Sequence, residues 1–128
     1  MNKQPNATPQ KLQSFPYIME QPQGENLKCI VILDQLGRIA IPKAVLDKNE
    51  IIEKQSLFIF FDKPSLVIKK SEYGYEDCFY AERKIDSLGR IVIPIEMRRQ
   101  LKMEADSKLS LYTTDDGEIV VENLPANW

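Results

Sequence analysis

Five cations fall within seventeen residues of the second half of this chain: Arg83 and Lys84, then Arg90, then Arg98 and Arg99. A guanidinium offers a planar fork of donors that suits phosphate oxygens and base edges, and a lysine neutralises phosphate as a point charge. Nucleic-acid binding is the chemistry such a set can do, provided that it lies on one continuous surface. Catalysis is much less well provided for. The chain has no histidine, which excludes Ser-His and Cys-His nucleophile pairs and imidazole metal ligands. Its acids are spread through turns and surface-like positions, with no pair set apart by apolar neighbours. Neither an enzyme nor a cofactor is expected. Cys29 and Cys78 have no second cysteine at metal-ligand spacing, so no metal site is expected and both are read as reduced, half-buried thiols.

The elements that must position these cations are written twice. Asp34-Gln35-Leu36-Gly37-Arg38-Ile39-Ala40-Ile41-Pro42 returns 52 residues later as Asp86-Ser87-Leu88-Gly89-Arg90-Ile91-Val92-Ile93-Pro94. A period of that length repeats a whole supersecondary unit, which cannot bury its apolar face alone, so the two copies are expected to pack on each other. In the second copy, residues 79–85 read as a strand, 86–89 as a turn around Gly89, and 90–93 as the returning strand. Pro94 ends that strand and suits the first turn of a helix over 95–101, with Met97 and Leu101 on its inner face and Arg98 and Arg99 off it. Alternation then marks strands over 108–112 and 118–122 around Asp115-Asp116-Gly117. The first copy matches with strands over 28–33, 38–41, 57–61 and 66–69 and a helix over 42–49. Each unit is therefore β-β-α-β-β, and the fold class is mainly β with short helices.

The run from Arg83 to Leu101, continued through the strands at Tyr112 and Val120, resembles the DNA-binding domain of the AbrB (SpoVT-AbrB) family of bacterial transition-state regulators. The likeness is strong over 79–123 and weaker over 28–70. It implies a swapped-hairpin β-barrel, built when two such units interleave their hairpins, and two units in one chain resemble the arrangement of MraZ-type proteins. The resemblance also implies that Arg83, Lys84, Arg90, Arg98 and Arg99 share one surface that binds double-stranded operator DNA. A shift of 52 residues places Val31, Ile32, Leu46 and Asp47 opposite Arg83, Lys84, Arg98 and Arg99, so Arg38 alone keeps its counterpart, Arg90. Lys43 and Lys48 compensate only in part. The first copy is expected to act mainly as scaffold.

The expected organisation is a flexible N-terminal arm over 1–26, a degenerate repeat over 27–70, a connector over 71–78, the DNA-contacting repeat over 79–123 and a short tail over 124–128. The arm is rich in proline and glutamine and has no periodic apolar face, although Phe15, Tyr17, Ile18 and Met19 form an apolar island suited to docking on the domain or on a protein partner. Net charge is −2. The acids of the second copy gather at Asp115, Asp116, Glu118 and Glu122, on a hairpin that the resemblance turns away from DNA. No segment has the length and apolarity of a membrane span, and the N-terminus lacks the layout of a signal peptide, so a cytoplasmic protein is expected. A single complete basic set per chain implies a homodimer or higher oligomer on a two-fold operator. The competing reading is an antitoxin that regulates its own promoter, or an interaction module with weakened DNA binding.

Overall fold

The structure, a computed structural model, describes residues 18–20, 26–75 and 77–125, with side chains from residue 26 onward. In chain order the elements are β1 (Ile18–Glu20), β2 (Lys28–Ile32), β3 (Arg38–Ala40), α1 (Lys43–Lys48), β4 (Ser56–Asp62), β5 (Ser65–Lys69), β6 (Tyr80–Lys84), β7 (Arg90–Val92), α2 (Ile95–Leu101), β8 (Lys108–Thr113) and β9 (Ile119–Asn123). Apart from β1, each lies within a residue or two of the position that the sequence predicts.

The two halves interleave. A seven-stranded sheet runs β1-β2-β8-β9-β5-β4-β6, and a separate two-stranded ribbon pairs β3 with β7. The first strand of each half thus pairs with the third strand of the other: β2 lies antiparallel to β8, with Cys29 opposite Leu111, and β6 lies antiparallel to β4, with Ala81 opposite Ile59. The last strands meet at the centre, where Val67 of β5 faces Val120 of β9. This is hairpin exchange within one chain. The architecture is mainly β with exchanged hairpins, as expected, although the barrel is not closed: β1 and β6 end the large sheet without pairing to each other. The ribbon strands β3 and β7, three residues long and each followed two residues later by a proline, pair with each other.

Alternation in the strands fills the interior. Cys29, Val31, Leu57, Ile59, Leu66, Ile68, Leu109, Leu111, Ile119 and Val121 point into one core, together with Ile39 and Ile91 of the ribbon and Val45, Met97 and Leu101 of the helices. Cys29 is fully buried rather than half-buried, and burial pushes its thiol up to about 12; Cys78 is half-buried, and both are free thiols.

The opposite face of the sheet carries a second cluster. Phe60, Val67 and Val120 are covered there by Phe58, Tyr75, Cys78 and Tyr112. Tyr75 stacks on Phe60 with ring centroids 5.1 Å apart, and its hydroxyl donates to Glu118 at 3.1 Å. Burial, followed by the Glu118 charge, pushes this phenol up to about 12. Lys69 Nζ lies 5.2 Å from the centre of the same ring and 3.8 Å from Glu118. The segment expected to be a plain connector is thus a strap bonded across the sheet. In the arm, Ile18–Glu20 pairs with β2 at Lys28 and Cys29, a strand that the flexible-arm expectation did not include. Phe15 and Tyr17 lie outside the described residues, as do most of the arm and the last three residues of the tail.

Candidate nucleic-acid interface

Both hairpin turns are built by the same side chain. Asp34 Oδ1 accepts the Leu36 and Arg38 backbone N–H groups at 2.9 and 2.8 Å, and its Oδ2 accepts Arg38 Nε at 2.7 Å. Asp86 does the same for Leu88 N, Arg90 N and Arg90 Nε at 2.9, 2.8 and 2.8 Å. Each carboxylate therefore closes its turn and tethers the arginine that leaves it. Gly37 and Gly89 complete the turns at φ of 78° and 77°, the left-handed region where a Cβ is strained. Burial pushes the Asp34 carboxyl upward, but the Arg38 N–H, the Arg38 side chain and the Leu36 N–H outweigh it and hold it below the usual carboxylate range. Asp86 is held low as well, the Arg90 N–H contributing most.

The ribbon turns these arginines outward. Ile39 faces Ile91 on the buried side, while Arg38 stands opposite Val92 and Ala40 opposite Arg90 on the other. Arg38 and Arg90 are both half-buried, and each has its Nε engaged by an aspartate while its two terminal nitrogens make no other hydrogen bond among the described residues. Such a tether leaves the fork of the guanidinium presented and its rotamer already chosen.

Helix exchange decides where the remaining arginines go. Pro94 starts α2, Met97 and Leu101 anchor it to the core, and Lys102 ends it in a left-handed conformation. Arg98 Nε donates to the Ile93 carbonyl at 2.9 Å, and its guanidinium lies against Gly37, so that a Cβ at that glycine would fall 2.6 Å from Arg98 Cζ. Arg98 therefore sits on the turn of the first half, beside Arg38, and not on the turn of its own half. At the other turn its counterpart Leu46 lies over Gly89. Sequence spacing groups Arg90 with Arg98, whereas the interleaved fold joins Arg98 to the turn that carries Arg38. Arg98 is also half-buried instead of standing clear of the protein.

The other cations are looser. Arg99 is 68% exposed and 3.8 Å from Glu96, and it lines a recess of about 340 Å³ with Ile95, Arg98, Lys102, Met103 and Glu104. Arg83 and Lys84 are exposed on edge strand β6, with Arg83 Nη1 donating to the Glu82 carbonyl at 2.8 Å. In the first half, Lys43 is engaged with Asp47 at 3.1 Å on the exposed side of α1. The acids of the second hairpin are largely occupied elsewhere: Glu122 accepts from Ser65 at 2.6 Å, Glu118 from Tyr75, and Asp115 from Asn26 at 3.0 Å. Sequence reasoning did not find that Asp34 and Asp86 tether Arg38 and Arg90, nor that Arg98 seats on Gly37. An Asp four residues before each Arg was the available signal for the first pair. No group of ligands that could hold a metal ion occurs among the described residues.

Residues 82–128 match the family model described as antidote-toxin recognition MazE, bacterial antitoxin. Two curated proteins of Bacillus subtilis (strain 168) are similar: transition state regulatory protein AbrB, 44% identical over 45 residues that make up 35% of this chain and 46% of that protein, and stage V sporulation protein T, 42% identical over 40 residues, 31% and 22% of the respective chains. The chain thus spans less than half the length of either relative. The solution structure of PHS018 from Pyrococcus horikoshii aligns over 75% of this chain and 88% of that one, with 17% identity and a TM-score of 0.43. A regulator and an antidote are what the matching descriptions name, and neither is an enzyme. The second half of this chain is thus similar to AbrB- and MazE-type domains.

Proposed function

We propose that the chain is a bacterial transcription regulator that binds operator DNA, with the second half supplying most contacts and Arg38 completing them from the first. The observation that carries this reading is the outward face of the β3–β7 ribbon, where Arg38 and Arg90 are held through Nε with their forks free. A two-stranded ribbon is narrow enough to enter the major groove, and a preorganised guanidinium suits the O6 and N7 atoms of guanine. Arg98 extends the face beyond one turn, while the exposed Arg83, Lys84 and Arg99 suit phosphates. Likeness to a transition state regulatory protein supports the same reading. Because Arg98 and Arg99 occur once per chain, two equivalent reading surfaces need two chains, and the DNA-bound species is a homodimer or larger. Selection of bound fragments from random duplex DNA tests this: a recurring motif is expected, and recovery of no sequence above background would contradict it.

The MazE family match favours a second reading, in which the protein also neutralises a toxin and represses its own promoter. Co-expression with a toxin-like reading frame next to its gene, followed by co-purification, separates the two.

A further inference from the structure

We infer that Gly37, in the half with the fewer arginines, is a positioning residue for Arg98, so that one DNA-reading end is built jointly by both halves. This rests on the DNA-binding reading above. The two turn glycines have nearly the same backbone, φ 78° and 77°, yet they meet different neighbours. A Cβ at Gly37 would come within 2.6, 2.8 and 2.9 Å of Arg98 Cζ, Nη2 and Nε, so the guanidinium occupies the space that only glycine leaves. A Cβ at Gly89 would come 3.1 Å from the Ile41 carbonyl and 3.2 Å from Leu46 Cδ1, which are backbone and packed apolar atoms.

Ile93 closes the arrangement around Arg98. Its N–H donates to the Gly37 carbonyl at 2.8 Å, and its own carbonyl accepts Arg98 Nε at 2.9 Å. The equivalent bond from Ile41 N to Gly89 O, also 2.8 Å, is present at the other turn, but Leu46 stands there in place of an arginine. The glycine thus fixes the plane and direction of a half-buried fork whose terminal nitrogens make no other hydrogen bond among the described residues. Fixing the fork before binding removes ordering that would otherwise oppose recognition.

The consequence is an inversion between stability and binding. Gly37→Ala and Gly89→Ala carry the same φ strain, but at position 37 the clash is relieved by swinging a flexible guanidinium away, whereas at 89 it falls on backbone and core. Gly37→Ala should therefore melt no lower than Gly89→Ala, yet bind a selected duplex about ten-fold more weakly than it. Its loss should match that of Arg98→Ala, and the double variant should lose no more than either single one. In the free protein, NMR should find the Arg98 Nε–H protected from exchange, with that protection lost in Gly37→Ala and kept in Gly89→Ala. Arg98→Lys, which keeps the charge without the fork, should bind as Arg98→Ala does.

Equal affinities of the two alanine variants at position 37 and 89, or an Nε–H unchanged by Gly37→Ala, would overturn the inference, as would full affinity in Arg98→Lys. A parent chain that binds no duplex sinks the DNA-binding reading instead, and the Nε–H signal then decides the placement of Arg98 by itself.

Discussion

Removing the charge of Asp86 tests whether one carboxylate both closes the turn and aims Arg90. In Asp86→Asn the Oδ1 atom can still accept the Leu88 and Arg90 N–H groups, but an amide N–H replaces Oδ2 and faces Arg90 Nε, donor against donor. A charge-assisted bond contributes about 1.5–3 kcal/mol when shielded, and solvent reduces this where, as here, the Asp86 and Arg90 side chains are 38% and 32% exposed. A loss of about 1 kcal/mol follows, which lowers Tm by about 4 °C for a domain of this size. The sign of the pH dependence is fixed by the direction of the shift. A carboxyl held below its unfolded value contributes fully above about pH 4 and loses that contribution as pH falls through the lower, folded value. The stability gap between parent and Asp86→Asn should hence be constant from pH 8 to 5 and close below about pH 4. In binding, the freed Arg90 should discriminate less between selected and random duplexes, although removing a negative charge favours phosphates in general. Melts across pH with paired titrations on both duplexes measure all of this. Parental Tm and parental selectivity in Asp86→Asn would refute the reasoning.

The strap gives a second expectation: Tyr75→Ala exposes Phe60 and should destabilise by about 2 kcal/mol, whereas Tyr75→Phe keeps the stack and loses only the bond to Glu118, about 1 kcal/mol, as urea unfolding would measure. Thiol labelling offers a third. Cys29, buried and with its thiol pushed up to about 12, should resist a disulfide reagent at pH 8 in the folded protein, leaving Cys78 as the reactive thiol, and both should react in denaturant. Two equally fast thiols in the native state would contradict the buried placement.

Much of this architecture is legible in the sequence because local rules dominate it. The alternation in Lys108-Leu109-Ser110-Leu111-Tyr112, the glycines at 37 and 89, and Pro42 and Pro94 ahead of the helices each act within a few residues, and β8, the two turns, α1 and α2 follow. Pairing was harder to read, since strands of both halves are equally able to pair within their own unit or across. Arg98 shows the result most clearly: its helix position was readable, but its seat on Gly37 is a contact between residues 61 apart that exists only once the hairpins are exchanged. The pairing of β3 with β7 is likewise a long-range choice that their sequences do not encode. Tyr73 and Tyr75 stand two apart in the polar segment between the halves, and nothing local says that Tyr75 stacks on Phe60, which lies on the opposite strand face from the core residues that define β4.

The central claim, that tethered arginines from both halves read operator DNA, is tested most directly by titrating one selected duplex against the parent, Arg38→Ala, Arg90→Ala, Arg98→Ala, Arg99→Ala and Lys43→Ala at several salt concentrations. Arg38, Arg90 and Arg98 should each lose about 1–3 kcal/mol on the selected duplex and much less on random DNA. Arg99 should weaken both duplexes alike and lower the salt slope by about one, and Lys43 should change little. Losses that are uniform across duplexes for all the arginines would reduce the face to charge alone, and unchanged binding after removal of Arg38, Arg90 and Arg98 together would contradict the assignment of the interface.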